Sequence, residues 1–232
     1  MHPRDRLIVA LDLPTPDQAL AAAAGLRDRA GLFKVGLELF CSAGPEVVRR
    51  LGAGGSGVFL DLKLHDIPRT VERAVASCAR SGARMLTLHM GGGPAMAEAA
   101  ARAARAAPGR PRLLGVTVLT SFDRGELAAV GVPGTVQDQV VRLARMARDA
   151  GLDGVVASPH EIAAIKEACG PAFLVVTPGV RPAGWPAGDQ RRTMTPREAV
   201  AAGADYLVVG RPILEAPDPA AAASALVEEM RG

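Results

Sequence analysis

Asp61, Lys63, His65 and Asp66 stand where an apolar strand should run. The stretch Gly57-Val-Phe-Leu-Asp-Leu-Lys-Leu-His-Asp-Ile-Pro68 opens with Val58, Phe59 and Leu60, and Leu62 and Leu64 carry the apolar pattern on. Side chains alternate across a strand, so Asp61 and Lys63 share one face while Leu62 and Leu64 share the other. Burying such a pair costs on the order of several kcal/mol of desolvation, which its attraction does not return as mere stability. A structural salt bridge at a strand end is one reading. Proton transfer is the other, because carboxylates keep a neighbouring ammonium charged and able to protonate a developing carbanion.

The count of lysines favours chemistry. Of 27 Lys plus Arg residues only Lys34, Lys63 and Lys166 are lysines, so 24 are arginines. A background that replaces Lys by Arg leaves lysine where a guanidinium will not serve. Arginine stays protonated, whereas a lysine ammonium is compact and able to release its proton. Lys34 lies in the apolar run Phe33-Lys-Val-Gly36, and Lys166 in the polar Ile165-Lys-Glu167 reads as a solvated helix residue.

The elements that must position these groups follow from periodicity. Apolar runs at 7–13, 32–37, 58–64, 85–90, 113–119, 154–158, 173–179 and 206–210 read as strands. Between them, amphipathic segments at 15–29, 45–51, 68–81, 94–106, 135–150, 160–168, 195–202 and 217–231 read as helices. Thr15-Pro16, Gly44-Pro45, Ser158-Pro159 and Thr195-Pro196 resemble caps followed by Pro in a first turn. The alternation predicts an α/β fold: one (β/α)8 (TIM) barrel over residues 1–232, as a single domain. A doubly wound sheet is the alternative, but Asp12-Leu-Pro14 follows the first strand in place of a G-x-G-x-x-G turn.

Barrel chemistry sits at the C-terminal strand ends. Asp12, Lys34, Asp61, Lys63, Asp66, His89, Thr120-Ser121, Ser158, Arg181 and Gly210-Arg211 all fall there. Two features suggest a phosphate. Gly210 lets backbone N–H groups approach an anion and Arg211 adds a charged fork, after strand eight. The Gly/Pro-rich, basic loop after strand seven, about 181–194, reads as a lid. A metal bound by Asp61, His65, His89 and Asp66 is the competing reading, and Lys63 among those acids argues against it.

Composition bounds the rest. A net charge of +3 with scattered arginines gives no nucleic-acid patch and suits a small anionic substrate. Cys41, Cys78 and Cys169 form no metal or disulfide pattern and read as reduced, buried thiols. A first strand beginning by Leu7 leaves no room for a signal peptide, and no apolar run reaches membrane-spanning length. A cytoplasmic enzyme with no membrane association is expected.

These motifs resemble the orotidine 5′-phosphate decarboxylase family of the bacterial type. The resemblance is carried by Val9-Ala-Leu-Asp12, Lys34-Val-Gly36, Phe59 through Pro68, Val116-Thr-Val-Leu-Thr-Ser121, Thr177-Pro-Gly-Val-Arg181, Gly188-Asp-Gln-Arg-Arg192 and Val209-Gly-Arg-Pro212. The D-x-K-x-x-D core of Asp61, Lys63 and Asp66 is specific to the superfamily. The resemblance implies decarboxylation of orotidine 5′-phosphate to uridine 5′-phosphate in pyrimidine biosynthesis, without cofactor or metal. It implies that Lys63 protonates C6, that Asp61 faces the departing carboxylate, and that Lys34 and Asp12 hold the ribose and the charge network. Thr120 or Ser121 would contact the base, and Arg181, Gln190, Gly210 and Arg211 would grip the phosphate, with Gln190 also reaching the pyrimidine. It further implies a homodimer in which Asp66, Ile67 and Thr70 complete the neighbouring site.

Two rivals remain. Magnesium-dependent sugar-phosphate decarboxylases or aldolases of the same superfamily share the third-strand core and stabilise an enediolate. A non-catalytic phosphate-ligand sensor on the same scaffold would have no need of Lys63.

Overall fold

The computed structural model of the chain describes residues 1–182, 185 and 194–231. Eight parallel strands close in sequence order: β1 Leu7–Ala10, β2 Leu32–Val35, β3 Val58–Leu64, β4 Ala83–His89, β5 Arg112–Val116, β6 Gly154–Val156, β7 Leu174–Thr177 and β8 Tyr206–Val209. β1 pairs with β8 as well as with β2, so no edge is left unpaired. The fold is the expected (β/α)8 barrel.

Its two faces follow from the period of two. Ile8, Ala10, Leu32, Phe59, Met85, Leu114, Val176, Tyr206 and Val208 pack together inside the barrel. The alternate residues, among them Leu7, Val9, Phe33, Leu60, Leu86 and Leu88, join the larger core shared with the helices. Both faces are dry, which explains strands that read as continuous apolar runs.

Helices begin where the caps predict. Thr15 accepts the Gln18 N–H ahead of the helix Pro16–Leu26, and Thr195 forms a capping box with Glu198 ahead of Pro196–Ala201. Ser158 caps only a short 3-10 turn, Pro159–Glu161, before the helix Ile162–Cys169.

Several boundaries differ from the sequence reading. β2 stops at Val35, and Leu37–Ala43 is a helix, not the end of a strand. β5, β6 and β7 also end two or three residues early, because strand ends at the rim turn away from their neighbours to form loops. The short helices Pro3–Arg6, Arg124–Ala129 and Arg211–Leu214 carry too few residues to show a helical period. Cys41 is exposed and Cys78 and Cys169 are half-buried free thiols, a correction to three buried ones. Among the described residues no helix is long and apolar enough to cross a membrane.

Lys166 departs furthest from expectation. Instead of meeting solvent, its ammonium donates to the carbonyls of Pro171 (3.0 Å) and Phe173 (2.8 Å) and to Asp205 Oδ2 (2.7 Å). The same Asp205 oxygen accepts the Val175 N–H at 2.8 Å. One lysine thus ties the entry of β7 to the entry of β8.

Candidate active site

Alternation carries the polar residues of the first three strands to the barrel axis. Asp12 and Lys34 continue the inward faces of Ala10 and Leu32, and Asp61 and Lys63 continue that of Phe59. Lys34 Nζ lies 2.8 Å from Asp12 Oδ1, and Lys63 Nζ lies 2.9 Å from Asp61 Oδ2. Lys34 and Asp61 are the shielded members, their side chains 11% and 15% exposed. Gly36 makes room for the first pair: a Cβ there would stand 2.9 Å from Lys34 Nζ. The backbone is extended at Gly36, so the requirement is space and not conformation.

Two cavities meet at Lys34, Pro178 and Val208, which line both. The inner one, about 170 Å³, is walled by Phe59, Val116, Val118, Leu119 and Val156, and its polar lining is Lys34, Asp61, Lys63 and Thr120. The outer one, about 470 Å³, sets Lys34, Arg181 and Arg211 against Asp12 and Glu215, beside Gly210. An apolar slot with an ion pair at its wall therefore opens onto a basic mouth. A larger space of about 800 Å³ lies elsewhere, an open groove including Pro94, Glu98, Arg142 and Arg145. The two rim cavities are the better candidate because they bring the acid, base and cation groups together.

Of the expected site residues, Asp12, Lys34, Asp61, Lys63, Thr120, Arg181, Gly210 and Arg211 line this continuous space. Ser121 is exposed and is not among the lining residues. Asp66, Ile67 and Thr70 are exposed at the start of the helix Pro68–Arg80, outside the cavities of their own chain. Asp66 Oδ1 accepts the Ile67 N–H at 2.6 Å, and Ile67 is 67% exposed. Asp12, Lys34, Asp61 and Lys63 thus form two ion pairs, and Asp66 joins neither within its own chain. Gln190 lies outside the described residues, as does most of the expected lid, 181–194. The base of that loop is fixed: Arg181 N–H donates to the Met194 carbonyl at 3.1 Å, and Val180 bridges Met194.

His65 and His89, proposed metal ligands in the competing reading, stack on each other with ring centroids 5.3 Å apart. Burial pushes the His89 imidazole below its usual pKa, and the charges of His65 and Lys63 push the same way. Among the described residues no three His, Cys, Asp or Glu side chains converge as a metal site would need.

Sequence reasoning missed Thr87 and the apolar walls. Thr87 is wholly buried inside the barrel, and its hydroxyl donates to Asp61 Oδ1 at 2.9 Å. The available signal was a polar residue at an inward position of Met85-Leu-Thr-Leu-His89.

The Orotidine 5′-phosphate decarboxylase / HUMPS family matches residues 5–226. The chain belongs to this family. Among individual members of the orotidine 5′-phosphate decarboxylase / HUMPS family, the protein named orotidine 5′-phosphate decarboxylase from Moorella thermoacetica is 56% identical over 240 residues, covering 99% of this chain and 94% of its own. The crystal structure of orotidine 5′-phosphate decarboxylase from Lactobacillus acidophilus superposes with a TM-score of 0.88 at 39% identity, over 97% of this chain and 99% of the other. That of orotidine 5′-phosphate decarboxylase from Pyrococcus horikoshii gives 0.79 at 26% identity over the same shares.

Proposed function

We propose that this chain decarboxylates orotidine 5′-phosphate to uridine 5′-phosphate in pyrimidine biosynthesis, with Lys63 as the proton donor. The observation that carries this reading is the Lys63–Asp61 pair, 2.9 Å apart in the wall of a small apolar slot that opens onto a basic mouth. The names of relatives at 56% identity support the same substrate.

In this reading the bond from C6 to the carboxylate breaks, its electron pair stays on C6, and carbon dioxide leaves. A Lys63 Nζ–H bond then breaks as the new C6–H bond forms, and the neutral amine regains a proton from water. Asp61, fixed beside the reacting carboxylate, disfavours the ground state more than the transition state, in which that charge leaves. Phe59, Val116, Val118 and Val156 exclude water from the carbanion. Asp12 and Lys34 hold the ribose, Thr120 or Ser121 the base, with Thr120 the one that lines the slot, and Arg181, Gln190, Gly210 and Arg211 the phosphate, under a lid at 181–194. Asp66, Ile67 and Thr70 serve the site of a second copy in a cytoplasmic homodimer; their exposure in a single chain supports this.

Conversion of orotidine 5′-phosphate to uridine 5′-phosphate, followed by absorbance with a chelator present, tests the reading. Wild type is expected to turn over unimpaired, and Lys63→Arg to lose roughly 10²–10⁴-fold, since a guanidinium keeps its proton. Wild-type activity in Lys63→Arg would refute the proton donor. Activity lost to the chelator would favour the magnesium-dependent sugar-phosphate chemistry.

A further inference from the structure

We propose that Thr87 is the positioning residue of the Asp61–Lys63 pair: its hydroxyl stands in for strand pairing that β3 gives up, and so fixes where the Lys63 ammonium sits. The catalytic part of this inference rests on the function proposed above. The positional part does not.

The register of β3 against β4 breaks at the pair. Leu60 pairs with Leu86 and Leu64 with Leu88, so Asp61, Leu62 and Lys63 stand opposite Thr87 alone. Such a bulge leaves backbone groups unpaired and re-aims side chains. Lys63 shows the consequence, with φ at +50°, in the left-handed region that a non-glycine residue enters only when its surroundings compel it.

Thr87 supplies the compulsion. Its Oγ1 accepts the Lys63 backbone N–H at 2.8 Å and donates to Asp61 Oδ1 at 2.9 Å. The direction is set by chemistry: an N–H only donates and an ionised carboxylate only accepts, so the one hydroxyl proton points at Asp61. The other Asp61 oxygen receives Lys63 Nζ. A closed ring results, from the Lys63 backbone through Thr87 and Asp61 to the Lys63 side chain. The lysine backbone is tied directly, and its ammonium through Asp61, to a Thr87 side chain that is 0% exposed and stiff at χ1. A misplacement near 1 Å at the reacting group costs about 10²-fold in rate, so the ring bears on turnover.

Thr87→Val keeps the shape and removes the hydroxyl; Thr87→Ser keeps the hydroxyl. On the proposal, kcat in Thr87→Val falls about tenfold or more with KM little changed, and Thr87→Ser recovers most of the loss. A second readout needs no turnover. With lysine as the sole label at 13Cε, three signals are expected from Lys34, Lys63 and Lys166, and Lys63→Arg identifies the one that matters. Thr87→Val should move the Lys63 signal and leave the other two, and Thr87→Ser should return it. An unmoved Lys63 signal, wild-type kcat in Thr87→Val, or a serine variant as impaired as the valine would each overturn the proposal. If wild type fails to decarboxylate the substrate, the function falls and the lysine signals still judge Thr87. Should the valine variant not fold, Thr87→Cys, a weak donor and acceptor of similar volume, replaces it with the same expectations.

Discussion

At the scale of the residue, environment assigns each titratable group its work. His89 Nδ1 accepts the Gly91 N–H at 3.1 Å, so protonating that nitrogen ends the bond, in addition to placing charge in a half-buried site beside Lys63. Its folded pKa lies below the ordinary 6.5, so between the two values the unfolded chain binds more protons. Stability from His89 is therefore complete above about pH 6.5 and is lost as the pH falls below it toward the folded value. Asparagine retains an acceptor for Gly91 and does not titrate. We expect the melting temperature of His89→Asn to fall less than that of wild type between about pH 7.5 and pH 5. An equal fall, measured by circular dichroism, would contradict the assignment.

At the scale of the element, lysine scarcity was a sound signal with two meanings. Lys34 and Lys63 end in the candidate site, but Lys166 is a strut between β7 and β8. A helix period shows which face a residue occupies, not that a carbonyl from the next loop folds back over it. That contact is tertiary. Lys166→Met retains the stem and deletes the ammonium, leaving the Pro171 and Phe173 carbonyls and Asp205 short of a donor. Urea unfolding should report a loss of about 1–3 kcal/mol with kcat of the folded fraction unchanged. A solvated lysine would give a change within about 0.5 kcal/mol.

At the scale of the whole molecule, the barrel gathers residues from all along the chain at one rim, from Asp12 to Arg211. The exposed trio Asp66, Ile67 and Thr70 belongs to this scale, since on the proposed reading it acts on a second copy. Mixing inactive Lys63→Ala with inactive Asp66→Ala then restores activity, because a mixed dimer holds one site free of both changes. Random reassortment predicts recovery of roughly a quarter of the wild-type rate. No recovery after confirmed subunit exchange would mean that each chain completes its own site.

The sequence by itself determined the barrel, because strands buried on both faces must read as apolar runs separated by helical periods. It also put Asp61 and Lys63 on one face of the third strand, since alternation along a strand is local geometry. What only the tertiary structure decided depends on neighbours distant in the chain. The Thr87 hydroxyl reaches Asp61 across 26 positions because β4 lies against a bulge in β3, and no periodicity within either strand encodes a register break between them. The same holds for the slot walls, drawn from β3, β5, β6 and β8 and from loops beyond β5 and β7. Charge at a strand end pointed to the chemistry; the closed sheet placed its partners.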